Sequence, residues 1–290
     1  LPDTTRFRSP DDGITKQDGV NYYRDVMDWV LPPVVDRPVS IVRCPDGIAG
    51  PAFFQKHALS GLSRVGLTPI AEKNGKQADY LYPGSPEGLI ELVQFGAVEF
   101  HPWGSHIATP DEADLLVFDL DPGDGVAWER VIQAARTVRS LLEQLDLTSF
   151  VRTSGGKGLH VVVPLEPTSD WDTAKTFAKG FAEAMAGTQP TEFVSTSTKA
   201  VRRGKIFIDY LRNGRGATAI ASYSLRARPG APVATPLRWE ELGKLRSGGA
   251  FDVRSIPKRL ARLKNDPWAE MSQVSQSLDN VGRRLGAKAR

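Results

Sequence analysis

The chain predicts an α+β fold in which mixed or antiparallel sheets pack with flanking helices. Three observations carry that expectation. Short apolar runs of strand length recur at 39–43, 113–121, 150–153, 159–163 and 205–211. Longer segments with apolar residues at helical spacing fall at 128–145 and 171–185. The two kinds follow one another without the regular alternation that builds a doubly wound parallel sheet, and no internal repeat is visible.

Taken in order, residues 1–35 read as an arm and then a helix, with Tyr22, Val26, Trp29 and Val30 on one face and Pro32 and Pro33 as its stop. A strand at 39–43 ends in a turn at Pro45, Asp46 and Gly47. Residues 72–79 form a polar turn between extended stretches, and 86–95 a helix. The strand at 113–121 leads into the helix 128–145, apolar at Val131, Ala134, Ala135, Val138, Leu141, Leu142 and Leu145. Two strands, 150–153 and 159–163, are joined by a glycine turn. An amphipathic helix at 171–185 and a strand at 205–211 follow, then a stretch rich in Pro, Gly and Arg at 226–236. The whole reads as one domain: arm and helix to about 35, a core of about 36–250, and a basic helical tail of about 251–290.

Composition narrows the function. The 290 residues are 40% hydrophobic and 24% charged, a globular profile. No run approaches the roughly 18–20 apolar residues of a membrane helix, and the start at Leu1 lacks a signal-peptide pattern; the missing initiator Met leads to the expectation of a processed chain or an excised domain, and the single cysteine to that of a reducing cytoplasm. One cysteine, Cys44, excludes an internal disulfide, and four histidines show no zinc-finger spacing. The net charge of +3 hides a polarity: residues 1–200 carry a net nine negative charges and 201–290 a net twelve positive. That distribution suits a polyanionic partner or a solvated basic tail.

The sharpest chemical signal is Leu115-Leu116-Val117-Phe118-Asp119-Leu120-Asp121-Pro122-Gly123. Strand alternation buries Leu116, Phe118 and Leu120 on one face and sets Asp119 and Asp121 on the other, with Cα atoms about 6.5–7 Å apart. Two carboxylates so placed suit a hard divalent ion, Mg²⁺ or Mn²⁺, or else stand solvated at a strand end. Asp209 interrupts the apolar run Ile206-Phe207-Ile208 and either joins that pair in a three-carboxylate site for phosphoryl or nucleotidyl transfer or pairs with Arg202 or Arg212. Between them, Arg152-Thr153-Ser154-Gly155-Gly156-Lys157-Gly158-Leu159-His160 offers glycine N–H groups with Ser154, Lys157 and His160 as a triphosphate cradle; it lacks Walker A spacing and could be a plain hairpin. Phe53-Phe54-Gln55-Lys56-His57 sets aromatics beside basic groups, suited to stacking on a base next to a phosphate, and strand alternation turns one of the two Phe rings inward. Arg202, Arg203, Lys205, Arg212, Arg215, Arg226 and Arg228 have Asp209 as the only acid between 201 and 230.

Two further motifs point elsewhere. Lys16-Gln17-Asp18-Gly19 matches the K-x-D-G of covalent nucleotidyltransferases, although Thr15 stands where Glu is common. Asp119-Leu120-Asp121 matches the start of the haloacid-dehalogenase motif, but Gly123 replaces its Thr or Val.

Phe-Asp-Leu-Asp-Pro-Gly, Thr-Ser-Gly-Gly-Lys-Gly-Leu-His and Ile-Phe-Ile-Asp-Tyr-Leu-Arg-Asn, in that order, resemble the archaeo-eukaryotic primase superfamily. More narrowly they resemble the polymerase domain of the bacterial ATP-dependent ligase D of non-homologous end-joining. Stretches at 43–47 (beginning at Arg43), 53–57, 94–103 and 223–231 extend the likeness along nearly the whole chain. The resemblance implies a primase-polymerase-like core and a polymerase adding ribonucleotides or deoxyribonucleotides to a DNA 3′-OH at gaps and break ends. It implies two Mn²⁺ or Mg²⁺ ions held by Asp119, Asp121 and Asp209, with NTP or dNTP as substrate. It further implies nucleotide contacts from Phe53 or Phe54, His101, Ser154, Lys157, His160 and Arg226. Lys16 would hold the 5′-phosphate of the downstream strand, with Arg43, Lys56, Arg202 and Arg203 along the DNA. A ligase domain in the intact protein and a Ku-like end-binding protein are the implied partners, and no membrane is involved. The rival readings are a non-catalytic end-binding module and a covalent adenylyltransferase acting through Lys16.

Overall fold

The computed structural model describes residues 13–72, 74–279 and 281. The arm before Gly13 and the last residues of the tail, 282–290, lie outside them. The chain forms two compact units.

The first unit comprises Leu1–Pro110, Thr218–Thr235 and Gly249–Asp266. Its first helix, α1 (Lys16–Asp25), starts earlier than apolar spacing predicts because Thr15 and Asp18 cap each other in a capping box. Val26 interrupts it before the short α2 (Met27–Val30). Strands β1 (Val39–Arg43), β2 (Phe53–Gln55) and β5 (Ala97–Pro102) form an antiparallel sheet in the order β2-β1-β5. Strands β3 (Gly66–Ala71) and β4 (Gln77–Tyr82) are a separate hairpin around the predicted polar turn. Helix α3 (Pro86–Gln94) begins with Ser85 as N-cap and proline in its first turn. Tyr22, Tyr23, Val26, Ile41, Leu81, Leu89, Leu92 and Phe100 lie in its core.

The second unit comprises Asp111–Ala217, Pro236–Gly248 and Pro267–Arg290. Its strands are β6 (Glu112–Pro122), β7 (Phe150–Thr153), β8 (Leu159–Asp170), β9 (Phe193–Val194), β10 (Ile206–Asp209) and β11 (Pro236–Leu237). They form one mixed sheet in the order β11-β7-β8-β6-β10-β9, antiparallel except for β9 with β10. Helices α4 (Trp128–Gln144) and α5 (Trp171–Thr188) both pack on β6 and β8. Helix α4 buries Val131, Ala134, Ala135, Val138 and Leu142, five of the seven positions expected. Phe181 of α5 meets Phe118 of β6 with ring centroids 4.8 Å apart, which fixes the buried face of the strand whose other face carries Asp119 and Asp121.

The described part of the predicted helical tail is mostly not helical. Over the described part of 251–290 the longest helix is α6 (Ser255–Leu260), in the first unit, with a 3-10 turn at Met271–Gln273 in the second. Pro267 disfavours a helical residue before it. Beyond the turn, Gln276 replaces helical pairing with contacts to the second unit: its amide bonds both backbone groups of Thr148, at 2.8 and 2.9 Å, and its carbonyl accepts from Glu166 N–H at 2.8 Å.

Candidate active site

Strand β10 lies antiparallel to β6 with Asp209 directly opposite Asp119 and Phe207 opposite Asp121. Residues opposite one another share a sheet face, and so do residues two apart on one strand, so the three carboxylates stand together. The alternate positions Leu120 and Ile208 are fully buried on the other face. The register also explains why β10 stops where it does. After Asp209 the chain turns into a 3-10 segment, and the Asn213 side chain bonds both Val117 N–H (2.7 Å) and Val117 C=O (2.9 Å), taking over the pairing that a longer strand would have made.

Three like charges in one place need cations. The Arg212 guanidinium reaches Asp209 at 3.1 Å and Asp119 at 3.4 Å. Arg202, expected along DNA, lies over the Phe207 ring at 4.7 Å and pairs with Asp121. Burial raises the Asp209 carboxyl above its ordinary range; Arg212 opposes this, and the charges of Asp119 and Asp121 add to it. As the side chains are set, no group of three or more His, Cys, Asp or Glu among the described residues is gathered at metal-ligand spacing. The donor set nonetheless fits a hard divalent ion: all oxygen, on paired strands, and in need of positive charge that two guanidinium groups now supply.

The predicted cradle runs from β7 to β8 beside β6. His160 is paired in register with both Asp119 and Arg152, and its Nε2 lies 3.4 Å from Asp119 Oδ1. Buried Arg152 donates to His160 Nδ1 from Nε and from a terminal nitrogen, both at 3.3 Å, so that nitrogen is the acceptor and the ring proton sits on Nε2. Burial holds the imidazole below its ordinary pKa, against the pull of Asp119. Ser154 Oγ accepts from Gly156 and Gly158 N–H, both at 3.2 Å, so two of the N–H groups expected to meet an anion are engaged inside the turn. The glycine at 158 answers to packing: a Cβ there would stand 2.2 Å from Leu120 C=O. Lys157 is exposed, 4.0 Å from Asp124, and Arg203 is exposed as well.

The remaining predicted residues belong to the first unit. Phe53 and Phe54 are 51% and 61% exposed, which corrects the expectation that one of them turns inward: β2 is a three-residue edge strand with neither face covered at these positions. Lys56 is tied to Glu72 at 2.8 Å and to the Tyr80 hydroxyl at 3.0 Å, with His57 at 3.2 Å from the same carboxylate. Lys16 Nζ donates to Gln94 C=O at 2.6 Å and Arg43 Nε to Phe95 C=O at 2.9 Å, placing two cations at the end of α3. Burial, then the charge of Arg43, lowers the Lys16 pKa. His101 and Arg226 both contact Glu99.

Sequence reading did not single out Glu99, which contacts His101 and Arg226 in the first unit, nor Arg152, which bonds His160, and Asn213, which follows β10, in the second. Arg152 stood in a quoted motif, but its bond to His160 depends on strand register. Glu99, within 94–103, and Asn213, the last residue of Ile-Phe-Ile-Asp-Tyr-Leu-Arg-Asn, also stood in quoted stretches, but their bonds to Arg226, Ala227 and Val117 join parts of the chain distant in sequence.

Comparison with known proteins adds relatives to this geometry. The family model described as LigD, primase-polymerase domain, matches residues 15–268. The multifunctional non-homologous end joining protein LigD of Pseudomonas aeruginosa is 39% identical over 288 residues, covering 96% of this chain and 33% of that protein. Its namesake in Mycobacterium tuberculosis, a multifunctional non-homologous end joining DNA repair protein, is 38% identical over 251 residues, 83% of this chain and 33% of the relative. This chain thus spans about a third of the length of these curated relatives. Among solved structures, the polymerase domain from Mycobacterium tuberculosis Ligase D in complex with DNA matches with a TM-score of 0.83 and 34% identity, over 90% of this chain and 94% of that one.

Proposed function

Since the chain belongs to the LigD primase-polymerase family, a family of nucleotidyltransferases, we propose that it extends a DNA 3′-OH at gaps and double-strand-break ends with NTP or dNTP. The observation that carries the reading is the face shared by Asp119, Asp121 and Asp209 on two paired strands. These residues would hold two divalent cations, Mn²⁺ or Mg²⁺, displacing Arg202 and Arg212 from the carboxylates. Bound there, the ions would supply charge to lower the pKa of the attacking hydroxyl and to neutralise the departing pyrophosphate.

The chain's own groups do the rest. Paired strands hold the three Asp backbones in register on one face, so gathering the carboxylates asks for side-chain rotation alone. His160, with its proton on Nε2, donates from that atom beside Asp119, and Ser154 and Lys157 supply further donors to a triphosphate. His101 and Arg226 bind the incoming nucleotide, and an exposed ring of Phe53 or Phe54 stacks on a base. Lys16 and Arg43 receive the 5′-phosphate of the downstream strand in exchange for the helix carbonyls they now bind. Arg202 and Arg203 would line the DNA. A ligase domain in the intact protein and a Ku-like end-binding protein complete the repair of a break, in the bacterial cytoplasm. No helix among the described residues is long and apolar enough to cross a membrane.

Primer extension on a gapped duplex, with each metal and with NTP against dNTP, tests the reading. Metal-dependent extension that favours NTP is expected. Asp119→Ala or Asp121→Ala should reduce extension at least about a hundredfold with DNA affinity retained; full activity in either variant would refute the carboxylate assignment.

A further inference from the structure

Glu99 lies on β5 between two residues assigned to the nucleotide, and it touches both. Its side chain is 7% exposed. Oε2 is 2.7 Å from His101 Nε2, two residues along the same strand face. Oε1 is 3.2 Å from Arg226 Nε and accepts from Ala227 N–H at 2.7 Å. An isolated buried carboxylate is costly, and burial works against its charge, but these three groups outweigh burial and hold the pKa down at about 2.

The segment carrying Arg226 is fastened to β5 at several further points. Phe100 N–H donates to Ser224 Oγ at 2.9 Å, and Ala221 N–H donates to Phe100 C=O at 2.8 Å. Leu225 N–H donates to the Tyr23 hydroxyl at 3.0 Å, and that hydroxyl donates to Val98 C=O at 2.6 Å. Tyr223 and Ala231, at the two ends of the segment, have φ of 62° and 42°, a conformation costly for residues other than glycine. One backbone bond and the Ser224 and Tyr23 hydroxyls already tie the segment to β5, so its attachment does not rest on a carboxylate at 99 alone. What the carboxylate adds is a fixed relation between two basic side chains, each about one-sixth exposed.

We infer that Glu99 is a positioning residue for the incoming nucleotide, orienting His101 and Arg226 as one unit. The inference rests on the proposed function, in which those two side chains bind the nucleotide. Glutamine at 99 has the same shape and can still accept from Ala227 N–H. It cannot pair with Arg226 as an ion, and an amide nitrogen turned to His101 would donate where the carboxylate accepts. The step affected is therefore nucleotide binding.

The experiment is steady-state single-nucleotide insertion on gapped DNA with Glu99→Gln, His101→Ala, Arg226→Ala and the double variant E99Q/R226A, with thermal unfolding of each. E99Q is expected to raise the KM for NTP about tenfold with kcat within about threefold. The double variant is expected to exceed R226A in KM by less than the roughly tenfold that E99Q causes alone, because only the share of Glu99 that acts through His101 then remains to be lost. A wild-type KM in E99Q, with H101A or R226A raising it, overturns the inference and leaves the proposed function standing. If H101A and R226A also leave KM unchanged, the assignment of the nucleotide site itself fails. Should E99Q not fold, Glu99→Asp, which keeps the charge on a shorter stem, carries the same test with the same expected rise and the same overturning result.

Discussion

Asp209 shows what a single position reveals in sequence and what it withholds. A carboxylate ending an apolar strand demands a partner, and the residues around it offered two, Arg202 and Arg212. The structure distributes these cations among all three aspartates: Arg212 serves Asp209 and Asp119, and Arg202 serves Asp121. Elsewhere in the same basic stretch Arg215 finds Asp111 at 2.6 Å and Arg226 finds Glu99. Four of the seven cations at 201–230 thus meet acids supplied from earlier in the chain, which a local reading of sequence cannot see. Lys16 is the residue whose role is most open to a direct trial. Lys16→Ala is expected to shrink the preference for a 5′-phosphorylated gap over an unphosphorylated one by about three- to tenfold. Comparing extension on the two gaps measures it, and an unchanged ratio removes the role.

At the level of elements, most strands and helices of the core were legible because their apolar residues obey a period of two or of 3.6. The strand read at 113–121 is β6, and the helices read at 128–145 and 171–185 are α4 and α5, with ends shifted by one to three residues. Features set by side-chain substitution for backbone pairing were not legible. Asn213 ending β10 and Gln276 docking the tail are both of this kind. The glycine turn was read for its openness to an anion, yet its tightest constraint is the backbone of β6. Gly158→Ala would drive a methyl to 2.2 Å from Leu120 C=O, forcing β6 and β8 apart at the register that pairs Asp119 with His160. A loss of about 1–3 kcal/mol is expected, with a drop in extension. Chemical denaturation and primer extension of the same preparation would show it; wild-type stability would mean that the strands yield without strain.

For the whole molecule, the α+β class and the order of the motifs that carry the family resemblance were readable, because a fold this irregular still leaves one strand-length run for each long strand. The division into two compact units was not, since each unit collects segments from three parts of the chain. Acid stability integrates what both units bury. His160 is held neutral by burial, so the unfolded chain binds its proton more readily and stability begins to fall as pH drops below about 6.5. Glu99, depressed to about 2 from 4.5, contributes fully above about pH 4.5 and loses that contribution as pH approaches 2. The second loss is on the order of 2–3 kcal/mol and should be largely absent from Glu99→Gln. Denaturant unfolding between pH 7 and pH 2.5 measures both, and equal slopes for the two proteins below pH 4.5 would remove Glu99 as the source.

The pairing of Asp209 with Asp119 makes the chemistry hostage to counting. Side chains on neighbouring strands alternate in step, so one residue inserted between Lys205 and Asp209 would keep every amino acid of the trio and still turn the third acid toward the packed interior, with Ile208 pushed into its place. Any of the buried aliphatic groups behind the sheet can be exchanged for another of like volume at modest cost. The spacing of this short strand has no such latitude, and a designer wishing to silence the protein without touching an acidic residue would begin there.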